Sequence, residues 1–300
     1  MIAFCHTYKT AGTSFNTILR KHFKWRHFDS PGFQHQALSP QNLKNLKWIY
    51  PHLQSIIGHT IHPDTDLQIV EPDIQYYTFL RDPVARSISH ITWFLRWKAH
   101  AGVFVDDFET LVKKWAKAPE NRNRQCRQLC QKGTAEGVQQ VVRNSPFLFL
   151  RVEFFDLSLL LFRHWVGEPG MNLSYQRKNT LRDQHDRLQS RHPEYLKKIR
   201  LFQKHLRADP DLQSILKEAN REDQALYDWV ASDIWPQQLQ AYPGDLVAET
   251  QEFQQSLKEN SSTLPEPLLS RMHRNFVLKP IRPLLLPNRE PLSAKQSPWL

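Results

Sequence analysis

Lys9, Thr10, Ala11, Gly12, Thr13 and Ser14 follow closely on the short apolar run Ile2–Cys5. One cation, three hydroxyls and a glycine in that order suit the binding of an anion. A strand that feeds a helix through a tight turn aims several backbone N–H groups at one point. The helix dipole adds about half a positive charge there. Gly12 permits a backbone approach that a Cβ would hinder. The loop fails the pattern G-x-x-x-x-G-K-[ST], because the first glycine is missing and Thr13 stands where the lysine should follow Gly12. ATP with magnesium is therefore not the first expectation, and no metal site is expected.

A second constellation lies in YYTFLRDPVARSISH, residues 76–90. Arg81 closes an apolar, aromatic run, and in parallel α/β sheets ligands bind beyond the carboxyl ends of strands. Asp82-Pro83 is a good N-cap followed by a good first helical residue. On the helix that follows, Arg86, Ser89 and His90 are expected to share a face. A guanidinium and a hydroxyl from one strand–helix unit could grip a second phosphate. Arg86 either assists there or pairs with an acidic neighbour.

The elements that must position these groups are legible in outline. Ile2–Cys5, Leu53–Gly58, Gln75–Leu80 and Phe147–Val152 read as strands. Phe15, Ile18, Leu19 and Phe23 recur with helical period. Further helices are expected over Pro83–Trp97, Asp106–Lys117 and Leu157–Trp165. From Pro193 to about Lys258 the pattern is helical and charged, with breaks at Pro210, Pro236 and Pro243. Residues 29–53 cannot be placed by pattern. Strands alternating with helices predict an α/β domain with a largely parallel sheet over residues 1–260, helix-rich from about 190. The Pro-rich segment 261–300 cannot form a long helix and is expected to be an extended arm or tail.

With both anion motifs in view, the sequence resembles the PAPS-dependent sulfotransferases, and most closely the branch that sulfates glycan hydroxyls. HTYKTAGTSF resembles that family's 5′-phosphosulfate loop, and FLRDPVARSISH its 3′-phosphate motif. Weaker echoes are NRNRQCRQL (121–129), FLRVEFFDLSLLLF (149–162) and REDQALYDWV (221–230). The resemblance covers residues 1 to about 230, and Tyr8 departs from the proline usual in the loop. It implies a P-loop-like sulfotransferase fold and PAPS as sulfuryl donor. It also implies that Lys9 supports charge on the oxygen bridging phosphate and sulfate, helped by the N–H groups of Thr10 to Ser14. Arg81 and Ser89 would hold the 3′-phosphate.

The acceptor hydroxyl needs a base. His59, in IIGHTIH at the end of a predicted strand, is the candidate, because imidazole titrates near neutrality. His62 and Glu153 are the alternatives. Trp93, Trp97 and Arg96 could line an acceptor cleft or belong to the core. A glycan or other hydroxyl-bearing acceptor is expected as partner, and nucleic acid is not.

Composition is compatible with this reading. Of 300 residues 40 are Lys or Arg and 30 are Asp or Glu, a net charge of +10, which favours anionic partners. Two rivals remain. One is another P-loop transferase, such as a small-molecule kinase. The other is a non-enzymatic basic protein that tracks a polyanion along Arg187–Arg207. Three cysteines, Cys5, Cys126 and Cys130, are too few for a disulfide framework and are expected to be buried or idle thiols. No stretch reaches the ~20 apolar residues of a membrane span. With no leader visible, a cytoplasmic location is expected, unless the sequence is a trimmed piece.

Overall fold

The computed structural model describes residues 1–30, 37–175 and 191–259, together with Met272, Asn275 and Phe276. Five short strands form one sheet: β1 (Ile2–Cys5), β2 (His27–Asp29), β3 (Ser55–Gly58), β4 (Gln75–Leu80) and β5 (Phe147–Arg151). Their order is β2-β3-β1-β4-β5, and every pair is parallel. Helices cover both faces, so β1, β3, β4 and β5 read as largely apolar runs rather than alternating ones. Ala3, Cys5, Ile56, Tyr76 and Leu80 face one core layer. Ile2, Phe4, Ile57, Tyr77 and Phe79 face the other, as a side-chain period of two requires.

The first seven helices are α1 (Gly12–Phe23), α2 (Pro40–Ile49), α3 (Pro83–His100), α4 (Phe108–Lys117), α5 (Arg124–Leu129), α6 (Ala135–Arg143) and α7 (Phe155–Trp165). Helices 193–208, 210–219, 221–229, 235–240 and 246–259 follow. The third core layer joins α3 and α4 to helices 193–208 and 210–219 through residues such as Ile91, Trp115, Ile199 and Leu216. The fold is therefore α/β with a helical C-terminal part.

Several boundaries differ from the sequence expectation. The third strand in the chain starts at Ser55, not Leu53, and β5 ends at Arg151. The helix expected from Asp106 starts at Phe108, because the Asp107 carboxylate caps it by accepting from Thr110 N at 2.9 Å. α3 runs on to His100, and α7 begins at Phe155. α2 lies within the stretch 29–53 that pattern left unplaced, and β2, which ends at Asp29, was not foreseen. Pro210 does separate two helices. Pro236 does not break one: it takes a first-turn position in helix 235–240, where no N–H is needed, just after a π-turn over Val230–Ile234. Pro243 falls between helices, and a break not foreseen falls at Asn220. Apart from Met272, Asn275 and Phe276, the expected Pro-rich arm lies outside the described residues.

This topology determines where a ligand can sit. The chain leaves β1 toward β2, on one side, and leaves β4 toward β5, on the other. The carboxyl ends of these two adjacent strands are thus a topological switch point, where open α/β sheets form a crevice. Among the described residues no helix is long and apolar enough to cross a membrane. Cys5, Cys126 and Cys130 are all buried free thiols.

Candidate functional site

The turn between β1 and α1 is shaped first by its backbone. Lys9 and Ala11 both adopt left-handed conformations, with φ of 70° and 61°. Each costs a non-glycine residue about 1 kcal/mol or more. Left-handed residues next to right-handed ones turn successive N–H groups into one concavity, a nest for anions. No side chain caps α1, and its first turn carries no acidic residue to compete for the N–H groups.

Thr10 turns its hydroxyl away from the cavity. Its side chain is fully buried and donates to the Thr7 carbonyl at 2.9 Å, so its hydroxyl holds the loop and does not reach a ligand. Lys9, Ala11, Gly12, Thr13 and Ser14 do line a cavity of about 640 Å³ at the switch point. Gly12 is required there by close approach: a Cβ on it would lie 1.9 Å from His6 Nε2.

The second motif reaches the same cavity. Arg81 and Ser89 both line it. The Gln125 side chain brackets the Arg81 peptide, accepting from its N–H and donating to its carbonyl, each at 2.9 Å. Arg81 Nη1 donates to the Lys9 carbonyl at 3.2 Å, so the second motif braces the first. A guanidinium carries five donors, so others remain to meet an anion. Asp82 starts α3 as expected, with its carboxylate accepting from Ala85 N at 2.7 Å.

Neither Arg86 nor His90 joins Ser89 in lining the cavity. Arg86 takes another place. It is fully buried, outside the cavity, and donates to Asn220 Oδ1 at 3.0 Å and Ser87 Oγ at 3.2 Å. Burial pulls its pKa down to about 10, and the Asp223 charge opposes that shift. Its hydrogen-bond partners are thus an amide and a hydroxyl, and the acidic Asp223 acts on it through charge.

His59 also lines the cavity. Its ring is sandwiched between His6 and Tyr8, with centroids 4.2 and 3.7 Å away. His59 Nδ1 is hydrogen-bonded to the His6 carbonyl. A carbonyl can only accept, so Nδ1 carries the proton and Nε2 keeps its lone pair. Burial lowers the His59 pKa well below 6.5, as do the neighbouring His6, Arg124 and His90. The ring is therefore neutral near pH 7. His62 is not part of the lining, while Glu153 is. The Glu153 carboxylate accepts from Asp82 N at 2.8 Å, which occupies one of its oxygens at the start of α3.

The electrostatics leave room for an anion. Burial lowers the Lys9 pKa to about 8, and the nearby charges of Arg81 and Arg96 push the same way. Burial also lowers Arg81, with Glu153 opposing and Arg207 adding to the effect. A cation flanked by cations and held below its ordinary pKa would be restored by a bound phosphate.

Of the aromatic candidates, only Trp93 lines the cavity. Its ring lies 5.7 Å from Lys9 Nζ and stacks on Trp97 at 6.2 Å. Trp97 and Arg96 fall outside the lining. Sequence reasoning missed His6, Tyr8, Phe155 and Tyr175, all of which line the cavity. His6 was visible only as a neighbour of the loop. Burial pulls its pKa down to about 4, with Lys9 adding and Asp29 opposing. Compared with known proteins, the sequence matches no protein-family model and no curated protein.

Proposed function

We propose that this chain is a PAPS-dependent sulfotransferase that moves a sulfuryl group to a hydroxyl, with a carbohydrate as acceptor. The observation that carries the reading is convergence. Lys9 and residues 11–14 of the loop, Arg81, Ser89 and a neutral histidine all line one cavity at the switch point. Two anion grips with an adjacent base match a donor with phosphate at both ends.

In this reading Lys9 and the N–H groups of the loop neutralise charge on the leaving oxygen. Arg81 and Ser89 grip the 3′-phosphate and discriminate against nucleotides that lack one. His59 Nε2 takes the proton of the acceptor hydroxyl as its oxygen bonds to sulfur and the bond from sulfur to the bridging oxygen breaks. The His6 carbonyl holds Nδ1–H and so leaves Nε2 as the basic nitrogen of the ring. Tyr8 and His6 fix the plane of the ring.

A polyanion tracker would use Lys197, Lys198, Arg200 and Lys204, which are exposed on helix 193–208. None of them lines the cavity, so the site does not favour that reading.

Incubation with radiolabelled PAPS and a panel of saccharides tests the proposal. Label is expected on at least one saccharide, and the rate should fall by about 10²-fold or more in His59→Ala, with PAP affinity retained. Transfer only to phenols or amines would overturn the carbohydrate assignment. No transfer to any acceptor class would overturn the activity.

A further inference from the structure

We propose that the short helix α5 is the platform of the site, and that Arg124 at its start is a positioning residue for His59, on the reading that His59 is the base. None of Arg124, Gln125 and Gln128 lines the cavity, yet each of them reaches a residue that does.

Gln125 brackets the Arg81 peptide. Gln128 donates through Nε2 to the His59 carbonyl at 3.1 Å and to the Ile61 carbonyl at 2.9 Å, which fixes the backbone just beyond β3. Arg124 lies one turn before Gln128, on the same face of the helix. Its guanidinium is 5.1 Å from the centre of the Tyr8 ring. That ring in turn lies 3.7 Å from the His59 imidazole, at an interplanar angle of 14°. One face of α5 thus holds the peptide of His59 through Gln128 and the plate against its ring through Arg124. The helix is itself anchored, because Gln125 N and Cys126 N donate to the buried Asp223 carboxylate.

Arg124 is a costly residue to keep in this place. Burial lowers its pKa, and among the described residues it forms no ion pair. Its Nη1 donates only to the Glu120 carbonyl, at 3.3 Å. A desolvated cation without a carboxylate is unfavourable, and an aromatic ring beside it offsets part of that cost. Held there, the charge also disfavours a second positive charge on His59. The groups that face this imidazole are His6 from the end of β1, Tyr8 from the loop, His90 from α3 and Arg124 from α5. Burial is the largest cause of its lowered pKa. The His6, Arg124 and His90 charges add to the shift, the bond to the His6 backbone opposes it, and no acid takes part.

Two measurements on the full chain test this. The first follows the His59 imidazole by NMR with isotope-labelled histidine and needs no activity. Arg124→Gln should raise the His59 pKa by about one unit, and Arg124→Lys, which keeps the charge, should leave it near the parent value. The second is the pH profile of sulfuryl transfer from PAPS. The base works in its neutral form, so the acid limb should move to higher pH in Arg124→Gln. At the plateau kcat should fall by about tenfold with the KM for PAPS unchanged, because a misplaced ring costs rate and not donor binding. Tyr8→Leu should reproduce that fall, and adding Arg124→Gln to it should cost less than about twofold more. Arg127→Gln, at an exposed cation of the same helix, should change neither readout. Circular dichroism confirms that each variant is folded. A His59 pKa that does not move in Arg124→Gln would overturn the proposal, as would losses in Arg124→Gln and Tyr8→Leu that multiply. If His59→Ala transfers at the parent rate, the reading of His59 as base fails, and the NMR shift alone still decides whether Arg124 acts on its ring.

Discussion

Gly12→Ala is the perturbation whose consequence can be worked most directly from geometry. The added Cβ would sit 1.9, 2.2 and 2.6 Å from three atoms of the His6 ring. Ordinary carbon contacts begin near 3.5 Å, so the ring must retreat by about 1.5 Å. It cannot do so freely, because it stacks on Phe4 at 5.6 Å and on His59 at 4.2 Å. Overpacking of this kind costs about 1–3 kcal/mol. For a chain of this size that lowers Tm by roughly 2–4 °C per kcal/mol. A drop of about 4–8 °C is expected by calorimetry for a cost near 2 kcal/mol. His6→Ala in the same chain removes the obstacle. The double-mutant cycle should then show a favourable coupling of about 1 kcal/mol or more. Gly12→Ala that melts within a degree of the parent, with an additive cycle, would refute the claim that His6 and Gly12 are packed against one another.

Three more outcomes follow from the electrostatics. His6, His59 and His90 all have folded pKa values below 6.5, chiefly through burial. The unfolded chain then binds more protons below pH 6.5, so stability is full above that pH and falls as pH drops. The loss is about 1.4 kcal/mol per pH unit for each histidine, ending near pH 4 for His6. Urea titrations between pH 7 and 5 should show that slope, and a flat profile would contradict it. Lys9, held near pKa 8, must be protonated to hold phosphate, so PAP affinity should fall about tenfold per unit above pH 8. Lys9→Arg should flatten that dependence, and an unaltered slope would place it elsewhere. Asp223 is buried, accepts from Gln125 N at 3.0 Å and Cys126 N at 2.8 Å, and lies near the Arg86 charge. Asp223→Ala should cost about 3 kcal/mol in denaturant unfolding, because it strands a buried charge and two N–H groups, and a loss under 1 kcal/mol would contradict this.

The sequence made the central parts of the fold readable because their signals are local. Ile2–Cys5 and Gln75–Leu80 are buried on both faces and so appear as apolar runs. Asp82-Pro83 announces α3 by capping chemistry alone. β2 was hidden for a physical reason. Two of its three residues, His27 and Asp29, are buried polar groups that pair with each other and with Asn16, Ser55 and Arg20. That network is tertiary and leaves no run to read. α2 shows only Leu43 and Leu46 buried, too few for a clear period, although Ser39 and Asn42 form a capping box. At the site, the residue types of the loop and of the second motif were legible, but their division of labour was not. Thr10 and Ser14 look alike in sequence, yet Thr10 bonds within the loop while Ser14 faces the cavity. Arg86 and Ser89 are three residues apart, and long-range packing against Asn220 draws Arg86 into the core. The stack of His6, His59 and Tyr8 joins two strand ends and could be read only once β1 and β3 were known to be neighbours.

The most direct test of the central claim is a calorimetric titration of the purified chain with 3′,5′-adenosine bisphosphate, 5′-AMP and ATP–Mg²⁺. The account predicts that the bisphosphate binds at least about tenfold more tightly than either of the others, and that Arg81→Ala removes the preference. Equal affinity for 5′-AMP, a preference for ATP–Mg²⁺, or no binding to any of the three would contradict it.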